Sequence, residues 1–410
     1  MAGGHQLTRA DTTASPLNDL TLHHGSHRNL LTLVTEPPLG PGEVDAIIVP
    51  TARRAAHLKR AVELAAKLRC TLVTLNSKWS SAAATRRMFL QTGVDIAAVN
   101  MDDVSPALLP EIGTTSLLAG TPFARGTDTS RKRNLGLLIA RMAGWKHVVF
   151  LDDDIDIPDH QHLTDAVRLL HRFDGVGLTV GGYPDNSVVC HAHRETGGFQ
   201  DTFVGGGALA VNAASCESFF PDVYNEDWFF LLNDTRLRPI AKTTGLAVQK
   251  PYDPFANEQR ARTEEFGDVL AEGVFWLLDQ GKRVQDASVD YWRKFLAKRL
   301  GFINDVLLRV DDADMGAAER ERMKSALRAA RGRCTLVTPE LCVQYLRAWR
   351  TDRGKWRRHL ERHDRISTEL GQPSIDDVLL LLGISQPSNL TSTVHSSRVS
   401  SNVSSGSHSR

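Results

Sequence analysis

The sequence predicts an α/β protein with a mainly parallel sheet flanked by helices, followed by a helical C-terminal region. Short apolar runs of strand length alternate with helical patterns, and from about residue 286 the pattern becomes wholly helical and highly charged. Strands separated by helices usually pair in parallel and are covered on both faces. Ligands of such sheets bind beyond the carboxyl ends of the strands.

The predicted strands are short apolar segments. In chain order they are DAIIVPT (45–51), CTLVTLNS (70–77), VDIAAVN (94–100), HVVFLD (147–152), GVGLTVGG (175–182) and TFVGGGALAVN (202–212). Helical spacing lies between them, most clearly over 130–146, where apolar residues recur at i, i+3, i+4 and i+7. This order of elements is the basis of the predicted fold class.

Four segments follow from these patterns. Residues 1–43 form an irregular lead-in, 44–285 the sheet domain, and 286–384 the helical region. Residues 385–410 are Ser-rich with almost no large apolar side chains, so we predict a disordered tail. Three roles are open for the helical region: forming a homo-oligomer, contributing to an acceptor site, or contacting an acidic partner.

Composition excludes several classes of protein. A formal net charge of +1 argues against a general role on nucleic acids or membrane surfaces. No apolar run approaches the roughly 20 residues of a membrane span, and the N-terminus has no signal-like apolar region. The five cysteines are scattered without a CxxC pair, so neither a zinc site nor a disulfide framework is expected. A cytoplasmic protein is predicted.

An acidic cluster follows the fourth predicted strand, in the segment HVVFLDDDIDIP (147–158). We call Asp152, Asp153 and Asp154 the acidic tip. Adjacent carboxylates repel, and removing them from water is costly. A divalent cation removes both objections, and hard oxygen ligands favour Mg²⁺ or Mn²⁺ over zinc.

The preceding helix places basic residues near that tip. The short turn AGWK forces helix and strand to run antiparallel, and the two have similar lengths of roughly 20 Å, so the helix start lies beside the aspartates. Ser130 is the expected N-cap, followed by three basic residues, Arg131 to Arg133. Basic residues suit a helix start where an anion binds. A metal-bound diphosphate fits both groups, since the metal would contact the aspartates and the phosphates would face the basic helix start. A surface network of ion pairs is the alternative.

These residues resemble the nucleotide-sugar glycosyltransferases of the GT-A fold, and family 2 in particular. The matching segments are IIVPTAR (47–53), RNLG (133–136), FLDDDI (150–155), GGGALAVN (205–212) and NEDWFF (225–230), in the family's order over roughly 45–280. The resemblance implies a catalytic domain over 44–285. It also implies a nucleotide-diphosphate sugar donor, an acceptor hydroxyl and probable inversion at the transferred sugar.

The resemblance assigns a donor pocket. Pro50, Thr51 and Arg53 would line the nucleotide site at the end of the first strand. Arg133 and Asn134 would approach the nucleotide and its phosphates.

The resemblance also divides the acidic tip. Asp152 would lie near the ribose and the metal, and Asp154 would ligate the Mg²⁺ or Mn²⁺ that bridges the diphosphate. Asp153 is counted with the donor-binding residues.

On the acceptor side, the glycine run that includes Gly206 and Gly207 would allow close approach of backbone to sugar or acceptor; a bulge or turn is the alternative. Glu226 and Asp227 match the family's acidic pair, in which one carboxylate deprotonates the acceptor hydroxyl. Asp227 is the favoured base and Glu226 the alternative.

Two departures from the family pattern concern the base and the metal. The second strand ends in Asn76 and Ser77, where the family has an acidic motif, so Asn76 is the candidate for base contact. No histidine follows the acidic pair as a metal ligand. His191 and His193 precede it, and a surface loop is the favoured interpretation for both.

Other functions share parts of these patterns. A nucleotidyltransferase that forms nucleotide sugars would carry a Gly-rich loop after the first strand, which PTARRAAH lacks. The DDxxD motif of prenyl-diphosphate enzymes belongs on helices, whereas an apolar strand precedes this cluster. A HAD-like phosphatase would place its acidic motif after an N-terminal strand. A non-catalytic module of the same fold remains open.

Overall fold

The computed structural model describes residues 21–369, 371 and 373–384. The predicted tail (385–410) and the first 20 residues of the lead-in lie outside the described residues.

The centre of the protein is one mixed sheet of nine strands in the described chain. The strands are β1 (Thr32–Val34), β2 (Ala46–Thr51), β3 (Thr71–Asn76), β4 (Ile96–Asn100), β5 (His147–Leu151), β6 (Ile155–Asp156), β7 (Gly175–Gly182), β8 (Ala208–Asn212) and β9 (Ile240–Gln249). Each strand predicted from the sequence overlaps one of these.

The strand order is β1-β9-β7-β8-β5-β2-β3-β4, and the short β6 pairs with β9. Neighbours are parallel except β8, which is antiparallel to both β5 and β7, and β6, which is antiparallel to β9. The predicted parallel sheet is therefore confirmed only in part. Because β8 reverses direction between them, β5 and β7 point the same way, and their carboxyl ends share one edge.

Twelve α-helices surround this sheet within the described residues. They are α1 (Lys59–Leu68), α2 (Ala82–Phe89), α3 (Gly113–Leu118), α4 (Thr129–Met142), α5 (Gln161–Arg168), α6 (Val188–Glu195), α7 (Glu226–Phe230), α8 (Glu258–Asp279), α9 (Val289–Asp312), α10 (Ala317–Cys334), α11 (Pro339–Glu369) and α12 (Ile375–Leu381). None has the length and apolarity needed to cross a bilayer. The five cysteines all lie in this part of the chain, buried and unpaired.

Two apolar layers cover the two faces of the sheet. Along β2, Ala46 and Ile48 face one layer while Ile47 and Val49 face the other. Successive strand residues point to opposite faces, so a strand buried on both sides must be apolar throughout. This explains why the predicted strands are continuous apolar runs rather than alternating ones.

The larger layer joins the sheet to the C-terminal helices. It includes Phe150 of β5, Phe229 of α7 and Trp349 of α11, and the Phe229 and Trp349 rings lie 5.6 Å apart. The helical region therefore packs on the same core as the sheet. The long helix α8, which precedes residue 286, belongs to this layer too and was not identified from the sequence.

Helix α4 lies close against the centre of the sheet. It begins at Thr129 after Asp128, not at Ser130, whose hydroxyl donates to the Pro221 carbonyl at 2.8 Å. At Gly136 an added Cβ would lie 2.6 Å from Ile48 Cγ2 of β2. The absence of a side chain at Gly136 lets the helix approach β2 closely. This close packing sets the distance between the helix start and the edge of the sheet.

We predict that Gly136→Ala lowers the free energy of unfolding by about 1–3 kcal/mol, because overpacking against Ile48 outweighs the gain in helix propensity. Denaturant unfolding measures the change. Gly332→Ala in α10 is the matched control, since nothing lies within 4 Å of an added Cβ there. It should be neutral or stabilise by up to about 1 kcal/mol. Equal effects of both changes would contradict the packing argument.

Candidate active site

The acidic tip and the start of α4 meet at the carboxyl edge of the sheet. Asp152 follows β5 directly, and Arg133 Nη2 donates to its Oδ1 at 2.9 Å and its Oδ2 at 3.1 Å. The backbone N–H of Asp152 donates to the Gly207 carbonyl at 2.9 Å, so the end of β5 is also tied to the segment before β8. The antiparallel arrangement of α4 and β5 produces this contact.

Arg133 bridges the tip to the second acidic pair. Its Nη1 donates to Glu226 Oε1 at 2.8 Å, and its side chain is only 4% exposed. Arg125 holds the other oxygen of Glu226 at 2.6 Å. Burial alone would raise the pKa of Glu226, but the two guanidinium groups outweigh it and the pKa is lowered. Glu226 is therefore a charged, fully paired carboxylate.

Asp227 differs from its neighbour. It opens helix α7, where its Oδ2 accepts from the Gly206 N–H at 2.6 Å and its Oδ1 from the Trp228 N–H at 2.9 Å. Burial and the negative charge of Glu226 raise the pKa of Asp227 to about 6. No guanidinium pairs with it among the described residues. A carboxylate that lines a cavity and has a pKa close to neutral pH is suited to accept a proton.

The glycine run is packed against these charged groups. An added Cβ on Gly206 would lie 2.6 Å from Arg133 Nη1, and one on Gly207 would lie 3.1 Å from Asp152 Oδ2. The two glycines thus allow the backbone to close over the Arg133–Asp152 ion pair.

Two other members of the acidic tip face the end of β2. Arg53 donates through Nη1 to Asp153 at 2.6 Å and through Nη2 to Asp154 at 2.8 Å. The hydroxyl of Thr51 donates to Asp153 at 2.6 Å. Arg53 is 43% exposed, so this pair exchanges with solvent more readily than the buried Arg133 bridge.

Three predicted donor-site residues are engaged inside the protein. The Asn134 amide exchanges two 2.8 Å hydrogen bonds with the backbone of Phe220. Asn76 donates to the Val99 carbonyl at 2.9 Å and accepts from the Ser80 hydroxyl at 2.7 Å. Pro50 is buried in β2. None of the three lines the large cavity described next.

A cavity of about 1320 Å³ lies over the carboxyl edge. Its wall contains Asp152, Arg133, Glu226 and Asp227, together with part of the segment 26–33. The sequence prediction placed these four residues at one site without the N-terminal segment. Within that segment β1 pairs in parallel with β9, so the described part of the predicted lead-in contributes a strand to the sheet and a wall to the cavity.

The cavity also contains Asp185, which sequence reasoning missed. The surrounding protein and the negative charges of Asp227 and Asp152 raise the pKa of Asp185 to about 7, although the residue is exposed to the solvent of the cavity. It follows β7, whose carboxyl end shares the edge with β5. In the sequence, Asp185 is marked only as a polar residue just past a predicted parallel strand, and the segments that resemble the family do not include this loop.

Carboxylates such as those of Asp152 and Asp154 are the ligands that a hard divalent cation prefers, although within the described residues the acidic tip does not bring three ligand atoms within 4.8 Å of one another. Burial raises the pKa of Asp152, Arg133 opposes the rise, and Asp154 adds to it. The negative charges of Asp227, Asp152 and Asp154 contribute to the raised pKa of Asp185 as well. Carboxylate oxygens in excess over nearby cations suit Mg²⁺ or Mn²⁺. A cation at the tip would displace the exposed Arg53 from Asp154 at small cost while Arg133 stays paired with Glu226.

His191 and His193 lie outside this cluster. Both are on the buried helix α6, not on the surface loop that the sequence favoured. His191 Nε2 is 2.7 Å from the Tyr252 hydroxyl, and burial followed by the charges of Arg260 and Arg194 lowers its pKa to about 3. These histidines are part of the packing behind the cavity.

Comparison with solved structures returns nucleotide-sugar transferases among the neighbours. A mannosyltransferase from Pyrobaculum calidifontis, solved with GDP-mannose and Mn²⁺, is 14% identical with a TM-score of 0.38, covering 83% of this chain and 89% of that one. A protein from Desulfovibrio desulfuricans described as a nucleotide-diphospho-sugar transferase is 10% identical with a TM-score of 0.28, covering 51% and 82%. Likeness at this level carries no argument about activity.

No family model matches the sequence, and no curated protein matches it.

We predict that Arg133→Met lowers the free energy of unfolding by about 2–4 kcal/mol, because it removes the buried partner that Asp152 and Glu226 share and leaves Glu226 with Arg125 alone. Chemical denaturation checks this. Arg53→Met removes an exposed partner of two aspartates and should cost less than about 1 kcal/mol. Similar losses in the two variants would show that Arg133 does not act as a buried bridge.

Proposed function

We propose that the protein is a metal-dependent glycosyltransferase that moves a sugar from a nucleotide-diphosphate donor to an acceptor hydroxyl with inversion. The single observation that carries this is that the wall of one cavity contains both Asp152, beside Arg133, and Asp227, which has no guanidinium partner in the described chain and a raised pKa. An inverting transfer needs those two parts on opposite sides of the reacting carbon.

The donor would bind along the acidic tip. Asp154 and Asp152 would hold Mg²⁺ or Mn²⁺, and the ion would neutralise the charge of the leaving diphosphate. Arg53 at the end of β2 is exposed and would face the phosphates once it leaves Asp154. Arg133 keeps a buried Nε–H with no partner among the described residues, a donor available to a ligand oxygen. Asn76, Asn134 and Pro50 would shape the pocket from behind.

Asp227 would accept the proton of the acceptor hydroxyl. The hydroxyl oxygen would form the new bond to the anomeric carbon as the bond to the diphosphate breaks, and the nucleoside diphosphate would leave with the bonding electrons. Glu226, paired with Arg125 and Arg133, is a poor base because its charge is already compensated. Its role would be to position Arg133 behind the tip.

We predict that Asp154→Ala weakens donor binding at least tenfold in the presence of Mn²⁺ while the fold is kept, since its partner Arg53 is exposed. A thermal-shift screen with UDP-, GDP-, ADP- and dTDP-sugars, with and without Mn²⁺, first finds the donor, and titration then gives its affinity.

Asp156→Ala is the matched control, because Asp156 belongs to the same acidic segment but lies in β6, where its carboxylate is 3.9 Å from Arg60 rather than paired with Arg53. It should retain metal-linked donor binding. Undiminished affinity in Asp154→Ala would remove the proposed metal role. Donor binding without any metal effect and without transfer would favour a binding module, whereas consumption of a nucleoside triphosphate would favour a nucleotidyltransferase.

We predict that Asp227→Asn keeps donor binding but lowers the transfer rate by roughly 10²–10⁴-fold, the usual contribution of a general base. In the unaltered protein, kcat/KM should fall as pH drops below about 6, because the base must be deprotonated and its pKa is raised to that value. Initial rates from pH 4.5 to 8 test this, and the asparagine variant should lose the acidic limb.

Asp185→Asn is the control for this assignment, since Asp185 lies in the same cavity with a pKa of about 7. If Asp185→Asn abolishes the acidic limb and Asp227→Asn retains it, the base is Asp185 and the assignment to Asp227 is wrong.

A further inference from the structure

A second group of metal-ligating side chains lies at another part of the cavity wall. His24 and His27 belong to the N-terminal segment, and Asp279 is the last residue of α8. One ligand atom from each lies within 4.8 Å of the others. Within the described residues, this is the cluster whose geometry brings three such atoms together, and it contains none of the acidic-tip residues.

The three side chains converge on one carboxylate. His24 Nε2 is 3.2 Å from Asp279 Oδ2, and His27 Nδ1 contacts the same oxygen. The two imidazole rings stack with centroids 4.3 Å apart and an interplanar angle of 13°. Bonds of roughly 2.0–2.1 Å to one tetrahedral ion require ligand atoms about 3.2–3.4 Å apart, which the His24–Asp279 pair matches. His27 Nδ1 is closer to the carboxylate oxygen than this and would have to move away from it when an ion binds.

Burial makes this arrangement costly without a cation. His27 is 3% exposed, and the Asp279 side chain is 1% exposed. The Oδ1 atom of Asp279 is buried and has no hydrogen-bond partner within the described chain. A buried carboxylate oxygen without a partner is strongly unfavourable, and a bound cation would satisfy it.

Glu272 supplies the supporting contact that metal-binding histidines usually have. Its Oε2 lies 3.2 Å from His27 Nε2, on the side of the ring away from Asp279. A carboxylate that accepts from Nε2–H fixes the tautomer and leaves the Nδ1 lone pair free to bind an ion. Glu272 is about two turns before Asp279 on the same face of the same helix, which keeps the two carboxylates on either side of the imidazole.

We propose that the protein binds a zinc-type divalent cation through His24 Nε2, His27 Nδ1 and the Asp279 carboxylate, with the fourth position open to water or to a ligand in the cavity. Two nitrogen donors favour zinc over Mg²⁺ and Mn²⁺, which prefer oxygen. The cysteine pattern gave no reason to expect zinc, because the site uses histidines. The ion would fix the N-terminal segment onto α8.

The proposed ion would stabilise the part of the cavity wall that lies next to Trp228. The His27 ring lies 5.5 Å from the Trp228 ring, and Trp228 follows Asp227. His27, Glu272 and Asp279 all line the large cavity. Zinc would therefore hold one wall of the cavity in place without belonging to the acidic tip, and the proposal does not depend on the proposed transfer reaction.

The experiment measures metal content and ligand field in the full-length chain. After gel filtration in metal-free buffer, elemental analysis by plasma mass spectrometry should find about one zinc ion per chain. Chelator-treated protein titrated with Co²⁺ should develop the visible absorption of a tetrahedral site and lose it on addition of Zn²⁺. His24→Gln and Asp279→Asn should lose both signals, and Glu272→Gln should weaken Zn²⁺ binding by about 10–100-fold.

His57→Gln and Asp154→Ala are the matched controls, the first an exposed histidine elsewhere and the second at the acidic tip. Both should bind zinc like the unaltered protein. His24 is only partly buried, so His24→Gln decides the matter if circular dichroism shows that Asp279→Asn is unfolded. Absence of zinc and of the cobalt spectrum in the unaltered protein, or their loss in Asp154→Ala instead, would overturn the proposal; the cluster would then be a protonated His27 held between two carboxylates.

Discussion

A buried arginine joins the two halves of the candidate active site. Arg133 stands on α4 and reaches Asp152 after β5 and Glu226 at the start of α7, so three separate elements are fixed by one guanidinium group. Without it, Glu226 would keep only Arg125 and the partly buried Asp152 would have no guanidinium partner in the described part of the chain. The glycines before β8 have no side chains because the backbone passes directly over this bridge. The distance between tip and base is thereby set by rigid elements.

The same bridge separates the two members of the acidic pair. Glu226 takes both guanidinium groups, Arg133 and Arg125, and stays charged. Asp227, one residue later, receives only backbone N–H groups and the repulsion of its neighbour, which raises its pKa to about 6. Two adjacent carboxylates thus acquire different chemistry from their surroundings, because guanidinium charges oppose the effect of burial on the pKa of Glu226, whereas the charge of Glu226 adds to it at Asp227.

Local patterns predicted the parts of the fold that depend on neighbouring residues. The turn AGWK forced α4 against β5, so the contact between Arg133 and Asp152 followed from the sequence. The direction of β8 did not, because apolar runs do not encode it. Asn134 was expected at the nucleotide, but its amide is engaged with Phe220, 86 residues away. Asp185 and the histidine cluster were missed because their surroundings come from distant parts of the chain.

The pairing of β1 with β9 has a consequence for biosynthesis. Thr32 lies beside Ala241 in the sheet, and His27 meets Asp279, so the first described segment of the chain docks on elements made more than 200 residues later. During translation that segment must wait, exposed, until α8 has left the ribosome, because domains assemble from the contacts already available. This cavity wall is thus completed late, and a nascent chain that stalls before residue 240 would have an open sheet edge and no enclosed chamber.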